Sequence, residues 1–232
     1  MKRIGILGGV SPESTVSYYL RITREYTRRF GDYGYPEILI HSVSFQRFVD
    51  WQQTGNWDAM ARAMTRIFHT LHTAGAQIGL IAANTLHRVF DEVERESPLP
   101  LIHIVDPTAA AIKEAGLSRV GLLGTRYTME GKFYQDRLAS HGIKSIVPEE
   151  DERAELHRII YDELTRGILN NGAKRFCLSV IERLISRGAE GIILGCTEIP
   201  LLIRQDDVPV PVFDTAALHA DAALREAINW NN

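Results

Sequence analysis

The chain contains an internal repeat at an offset of 113 residues. Residues 75–77 (Gly-Ala-Gln) align with residues 188–190 (Gly-Ala-Glu), and each triplet stands just before an apolar run. The same offset pairs Ala83 with Cys196. Self-similarity over such a distance indicates that one structural unit occurs twice. The chain is therefore predicted to fold as two related halves with the same order of elements.

Short apolar runs alternate with amphipathic stretches in both halves. Runs of this length are typical of buried parallel strands, and the stretches between them are typical of helices. The predicted strands cover residues 4–7, 37–43, 78–83, 101–105, 120–124, 143–148, 191–195 and 210–213. We predict an α/β fold with two pseudo-symmetric α/β lobes, mainly parallel sheets, and an active site in the cleft between them. The N-terminal lobe is predicted to cover residues 1–108, with residues near the C-terminus able to return to it, and the C-terminal lobe residues 109–232.

Charge and cysteine content restrict the classes of function. The chain has 232 residues, 24% of them charged, and a formal net charge of −3, so neither nucleic acid nor an anionic membrane is an expected partner. Residues 1–7 enter a strand without an apolar signal region, which predicts a cytoplasmic protein. Cys177 and Cys196 form no CxxC pair, and the histidines lack a completed ligand set, so no metal is expected.

The run at residues 191–195 ends in Cys196, Thr197 and Glu198. Ligands of open α/β sheets bind outside the carboxyl ends of the strands, where a nucleophile or a proton-transferring base is expected. A free cysteine is, however, more often a small buried core residue, and we assign Cys177, on a predicted helix, to the core. From the residues alone, Cys196 is either a core residue or a reactive thiol.

Two groups that face each other across a cleft suit racemisation, in which one base removes the Cα proton and an acid opposite returns one. A thiolate is such a base only if its pKa is lowered by cations or by a helix N-terminus. Pro200 predicts a helix that begins just after Cys196. Backbone amides after Cys196 and after Ala83 would then bind a carboxylate and stabilise the developing enolate.

Five motifs, spread over nearly the whole chain, resemble those of the aspartate/glutamate racemase family, within the wider aspartate/glutamate/hydantoin racemase superfamily. They are residues 8–15 (GGVSPEST), 84–87 (NTLH), 122–129 (LLGTRYTM), 195–198 (GCTE) and 213–215 (FDT). The resemblance implies two pseudo-symmetric lobes, a mechanism without pyridoxal phosphate or another cofactor, a pair of cysteine bases and a homodimer. It also implies aspartate or glutamate as substrate and Cys196 as a proton-transferring thiol.

The chain departs from this family at Ala83, where the usual pattern has a cysteine before the Asn-Thr pair. The alanine is an engineered substitution, or it is natural and water or Thr85 relays the second proton, or the reaction needs one acid only, as in the arylmalonate decarboxylases. Cys196 would then be the remaining thiol, and racemisation would be impaired. The alternative functions are a single-thiol decarboxylase or isomerase of a dicarboxylate and a non-catalytic ligand-binding relative.

Eight residues are expected to contact the substrate: Val10, Ser11, Gln52, Asn84, Thr85, Thr125, Thr197 and Glu198. Plain capping of strand ends is the alternative role of the polar residues among them. Glu198 would orient Thr197, accept the substrate ammonium or cap a helix. Arg47 and the helix around Thr165 lie near positions where relatives keep basic residues for the substrate's distal carboxylate, but neither is a clean match. The choice between aspartate and glutamate therefore stays open.

Overall fold

A computed structural model describes residues 1–228 of the 232-residue chain. It divides into two units with separate internal contacts. The first unit comprises residues 1–103 together with the chain from His219 onward, and the second comprises Ile104–Leu218. The apolar pattern also predicts a closing helix over residues 216–229, whose last residue lies outside the described residues.

The first unit contains a parallel sheet with strand order β2-β1-β3. The strands are β1 (Ile4–Gly8), β2 (Ile38–Ser42) and β3 (Ile78–Ile81), and Ile4 is in register with both Ile38 and Ile78. β1 and β3 are buried along their whole length, as their continuous apolar sequences predict. Both strands therefore deliver the residues that follow them to the same edge of the sheet.

Helices pack around this sheet: α1 (Pro12–Phe30), α2 (Phe45–Thr54), α3 (Trp57–Thr73) and, after a 3-10 turn, α4 (Phe90–Glu96). α1 begins as the sequence predicts, because the Ser11 hydroxyl accepts the Ser14 N–H and Pro12 occupies the first helical position. It ends at Gly31, whose φ of 77° suits a residue without Cβ. The core between α3 and the sheet includes Leu7, Met60, Met64, Phe68, Leu71 and Ile81.

The second unit contains a parallel sheet with strand order β5-β4-β6-β7. The strands are β4 (Arg119–Gly124), β5 (Lys144–Ile146), β6 (Gly191–Gly195) and β7 (Val212–Asp214). β4 and β6 are neighbours, and Gly124 is in register with Gly195. The parallel sheets and alternating helices confirm the predicted α/β class.

The helices of the second unit are α5 (Val105–Glu114), α6 (Arg126–Glu130), α7 (Lys132–Ser140), α8 (Glu150–Arg158) and α9 (Asn171–Ser186). α8 continues as a π-helical turn, Ile159–Glu163, and a 3-10 turn, Leu164–Arg166. A last helix, α10 (Thr215–Ile228), begins in this unit and continues into the first. Among residues 1–228, no helix is long and apolar enough to cross a membrane.

Two predicted elements are wrong. The strand over residues 101–105 is reduced to a single bridge between Leu101 and Gly79, and the chain is already helical at Val105. A proline is accepted in the first helical turn, so Pro107 favours that early start over a longer strand. In place of the helix predicted after Cys196, the chain forms a 3-10 turn of three residues, Ile199–Leu201. It cannot continue into a longer helix because the backbone is already extended at Arg204.

Candidate active site

The first unit brings together the segments that follow β1 and β3. Gly9 has a φ of 84°, and a Cβ there would meet the backbone N and O of Val43 at 2.6 Å, so only glycine fits this turn. The Gly9 N–H donates to Thr15 Oγ1 at 2.7 Å. The Ser14 hydroxyl donates to the Ala82 carbonyl at 2.8 Å, which ties the start of α1 to the end of β3. Val10 and Ser11, both predicted substrate contacts, are buried in this loop between β1 and α1.

Ala83 is buried and is the second residue after β3, and both its backbone N–H and its carbonyl are hydrogen-bonded. Its N–H donates to the Ile81 carbonyl, and its own carbonyl accepts the Nδ1–H of His87, both at 2.8 Å. Burial lowers the pKa of His87 well below its usual value, and His103 and His219 lower it further. A neutral His87 therefore serves as a hydrogen-bond donor to the backbone of the residue aligned with Cys196.

The remaining predicted residues of the first unit lie on two elements. Asn84 and Thr85 are buried in the 3-10 turn that follows Ala83. Gln52 lies on α2 and is also buried, although glutamine side chains are usually exposed. Arg47, at the start of the same helix, is exposed, and its guanidinium lies 5.9 Å from the centroid of the Trp51 ring.

The second unit places three predicted residues in one hydrogen-bonded group at the end of β6. The Cys196 thiol donates to Glu198 Oε2 at 2.9 Å. The Thr197 hydroxyl donates to the same oxygen, also at 2.9 Å. All three side chains are buried, Glu198 with 3% of its surface exposed. Glu198 thus accepts hydrogen bonds from both residues that precede it.

Burial raises the pKa of the Cys196 thiol well above its usual value, and the charge of Glu198 and its hydrogen bond with the thiol act in the same direction. Backbone hydrogen bonds from Glu198 and Ile199 favour the thiolate but do not outweigh these effects. The expected lowering of the thiol pKa by a helix N-terminus is therefore wrong. The turn after Cys196 is too short, and the nearest charge is negative. Cys196 is a protonated thiol in this arrangement.

Thr125 lies at the end of β4, next to the end of β6. Its hydroxyl caps α6 by accepting the Thr128 N–H at 3.3 Å, and the two threonine hydroxyls are 3.2 Å apart. A Cβ at Gly124 would meet the Gly195 carbonyl oxygen at 2.8 Å, so the two strand ends approach closely. Thr125 therefore lies beside the Cys196 segment at one edge of the sheet.

Sequence reasoning missed an aromatic row in the second unit formed by Tyr127, His157 and Tyr161. The His157 ring lies 5.6 Å from that of Tyr127 and 4.6 Å from that of Tyr161. Burial raises the pKa of Tyr161, and the neighbouring acidic groups of Tyr127, Cys196 and Glu198 act in the same direction. Tyr161 stands in the π-helical turn, a feature frequently found at functional sites. The four-residue spacing of His157 and Tyr161 was the available sequence signal.

Over residues 7–223 the chain matches the family described as Asp/Glu/hydantoin racemase. The chain belongs to this family. It is similar to the broad specificity amino-acid racemase RacX of Bacillus subtilis, with 24% identity over 95% of this chain and 96% of RacX. It is also similar to a crystal structure of an aspartate racemase homologue from Pyrococcus horikoshii, with 41% identity, a TM-score of 0.85, and coverage of 99% and 100% of the two chains.

A third comparison concerns the fold alone. The aspartate racemase of Picrophilus torridus superposes with a TM-score of 0.77 at 24% identity, covering 98% of this chain and 94% of the other. The family match, RacX and the Pyrococcus horikoshii structure confirm the predicted resemblance. The family and RacX support a racemase, a type of isomerase, as the activity of this chain.

Proposed function

We propose that the protein is a pyridoxal-phosphate-independent amino-acid racemase that acts on aspartate, glutamate or both. In this proposal Cys196 is the one competent thiol, and Ala83 impairs net racemisation. The observation that carries the proposal is the 2.9 Å hydrogen bond from the Cys196 thiol to Glu198. It joins a thiol at a strand end to a carboxylate able to take its proton.

The proposed chemistry begins with transfer of the Cys196 proton to Glu198. The thiolate so formed keeps the backbone hydrogen bonds from Glu198 and Ile199, which favour its charge. It then removes the Cα proton of the amino acid, and the electron pair of that C–H bond moves into the α-carboxylate as an enolate. Return of the proton from sulfur to the same face of Cα restores the original enantiomer. Solvent exchange at Cys196 before that return leaves deuterium on Cα when the reaction runs in deuterium oxide.

Inversion needs an acid for the other face of Cα, and the methyl group of Ala83 neither accepts nor donates a proton. The internal repeat aligns this position with Cys196. We therefore propose that one enantiomer exchanges its Cα proton much faster than it racemises. The predicted contacts Asn84, Thr85 and Thr197 remain part of the proposal as substrate-binding residues.

Incubation of each enantiomer of aspartate and glutamate in deuterium oxide tests the proposal. We expect proton NMR to show deuterium entering Cα of one enantiomer, with little change in optical rotation. A Cys196→Ser variant should lose the exchange. Equal exchange from both enantiomers, or none from either, would contradict a single-thiol racemase.

An Ala83→Cys variant tests the role of the missing partner. We expect it to raise net racemisation, because it supplies a second thiol at the repeat-related position. Ala83→Ser is the matched control, since serine adds a group of similar size whose hydroxyl is a far weaker acid than a thiol. Equal racemisation rates in the two variants would show that the added thiol is not the partner acid.

One observation favours a second candidate, a single-thiol decarboxylase of a dicarboxylate. The raised pKa of Cys196 leaves a protonated thiol, which is the form that would protonate an enolate after loss of CO2. Release of CO2 from a substituted malonate, lost in the Cys196→Ser variant, would support this candidate. Exchange with aspartate or glutamate and no CO2 release would support the racemase instead.

The proposal includes three finer expectations from the resemblance: the reaction needs no cofactor, a D-amino acid is a substrate or product, and the enzyme works as a homodimer in the cytoplasm. Full activity after exhaustive dialysis against a chelator and a carbonyl reagent would support the first. Sedimentation at assay concentrations measures the oligomeric state.

A further inference from the structure

We propose that Arg126 binds the side-chain carboxylate of the substrate and so selects acidic over neutral amino acids. This inference rests on the proposed racemase function and names the residue that recognises its substrate class. Arg126 is the first residue of α6 and follows Thr125 directly. None of the eight expected substrate contacts in the sequence carries a positive charge.

The position of Arg126 follows from the pairing of β4 with β6. Gly124 is in register with Gly195, and each strand ends there. Arg126 is the second residue after one strand and Thr197 the second after the other. Because neighbouring parallel strands end at one edge of a sheet, Arg126 belongs to the edge that carries Cys196.

The Arg126 side chain is exposed and unneutralised. Within residues 1–228, no carboxylate lies at ion-pair distance from its guanidinium. Four other arginines of the second unit each pair with a glutamate: Arg153 with Glu130, Arg158 with Glu155 and Glu163, Arg183 with Glu152, and Arg187 with Glu149. An unpaired arginine at a ligand-binding edge keeps the N–H donors of its planar guanidinium available for a carboxylate.

The negative charge of Glu198 at this edge means that an acidic substrate needs a nearby cation to bind. Glu198 places a buried carboxylate beside the reactive thiol, and that charge repels a substrate with two carboxylates of its own. His157 does not supply the compensating charge. Its Nδ1 accepts the backbone N–H of Arg126 at 3.3 Å, and burial lowers its pKa. Arg126 therefore provides the positive charge that an acidic side chain needs.

The surroundings of Arg126 also orient it. Its guanidinium carbon lies 5.5 Å from the centroid of the Tyr127 ring, within cation–π range. Tyr127 is the first ring of the aromatic row that ends at Tyr161, whose phenol is within electrostatic reach of Arg126, Cys196 and Glu198. The cation is thus linked through packed rings to the neighbourhood of the thiol.

The test compares Arg126→Gln and Arg126→Lys with the unmodified protein and with Arg175→Gln. Arg175, exposed on α9 and outside the site, is the matched control. Cα-proton exchange in deuterium oxide is measured for aspartate and glutamate and for the neutral analogues asparagine and glutamine. We expect Arg126→Gln to raise KM for the acidic pair by about tenfold or more, the loss of one charge-assisted contact. Exchange of the neutral pair should be unchanged, Arg126→Lys should fall between, and Arg175→Gln should have no effect.

Two results would overturn the role of Arg126: equal loss for acidic and neutral substrates, or no change in KM for any of them. Failure of the proposed function looks different, since the unmodified protein would then exchange none of the four. In that case calorimetric binding of aspartate to the unmodified protein and to Arg126→Gln still decides the inference. Equal affinities, or no binding to either, would reject it.

Discussion

Glu198→Gln should lower the pKa of the Cys196 thiol. In the native protein the Glu198 carboxylate accepts a hydrogen bond from the Cys196 thiol at 2.9 Å. Its negative charge also opposes the formation of a second negative charge on the sulfur. Glutamine has nearly the same shape but no charge, so the substitution removes the electrostatic cost and leaves the burial of Cys196 in place. The backbone hydrogen bonds from Glu198 and Ile199 that favour the thiolate remain.

The distance sets the size of the effect. Two unit charges 2.9 Å apart repel by about 6 kcal/mol at an effective dielectric constant of about 20, an upper limit equal to a pKa change of about 4. Relaxation of the site and a new hydrogen bond from the glutamine amide reduce this value. We therefore expect the thiol pKa to fall by about 2 to 4 in Glu198→Gln.

Ultraviolet absorbance of the thiolate as a function of pH measures the change. Cys177, whose pKa burial raises to about 12, is the internal reference within the same molecule. Thr197→Val is the matched control, because it removes the other hydrogen bond to Glu198 and keeps the carboxylate charge. A thiol pKa that is unchanged or higher in Glu198→Gln would refute the reasoning, and Glu198 could then not be the group that takes the Cys196 proton.

Two further predictions concern stability. In the folded protein the buried His87 stays neutral, whereas in the unfolded chain His87 takes up a proton below its usual pKa of 6.5. The free energy of unfolding therefore falls as the pH drops below 6.5, by about 1.4 kcal/mol at a pH of about 5.5. Urea unfolding should show this loss in the unmodified protein and a smaller one in His87→Gln; parallel pH profiles would contradict it. Gly9→Ala should destabilise the first unit by about 1 kcal/mol or more in the same assay, because a Cβ would lie 2.6 Å from the Val43 backbone at a φ of 84°, and unchanged stability would contradict the strain.

The strands beside the candidate site could be predicted because their sequences are unambiguous. β1 and β6 are continuous apolar runs that end in glycine and polar residues, and both lie where the pattern indicates. The strand over residues 101–105 failed because a short apolar run is also compatible with the buried start of a helix, and only packing decides between them. Ser11 and Pro12 marked the start of α1 correctly, since capping depends on neighbours in sequence.

In the candidate site, too, the positions of residues along the chain could be predicted from the sequence, whereas properties that depend on packing could not. The positions of Cys196 and Thr125 at strand ends follow from the pattern alone. The pKa of Cys196 does not, because burial and the orientation of Glu198 determine it, and both depend on how the chain packs. Tyr161 was missed because the four-residue spacing from His157 does not show that its side chain packs within electrostatic reach of Cys196 and Glu198.

By itself, the sequence determined the α/β class, the internal repeat, the family, and the fact that one of two repeat-related positions carries a thiol and the other an alanine. These features depend on residue identity and on periodicities that local backbone geometry imposes. Only the tertiary structure decided that Cys196 is a buried, protonated thiol bound to Glu198 and that Arg126 stands unpaired at the same sheet edge. The physical reason is that protonation and charge pairing depend on distances and solvent exclusion, which arise when segments far apart in sequence pack together.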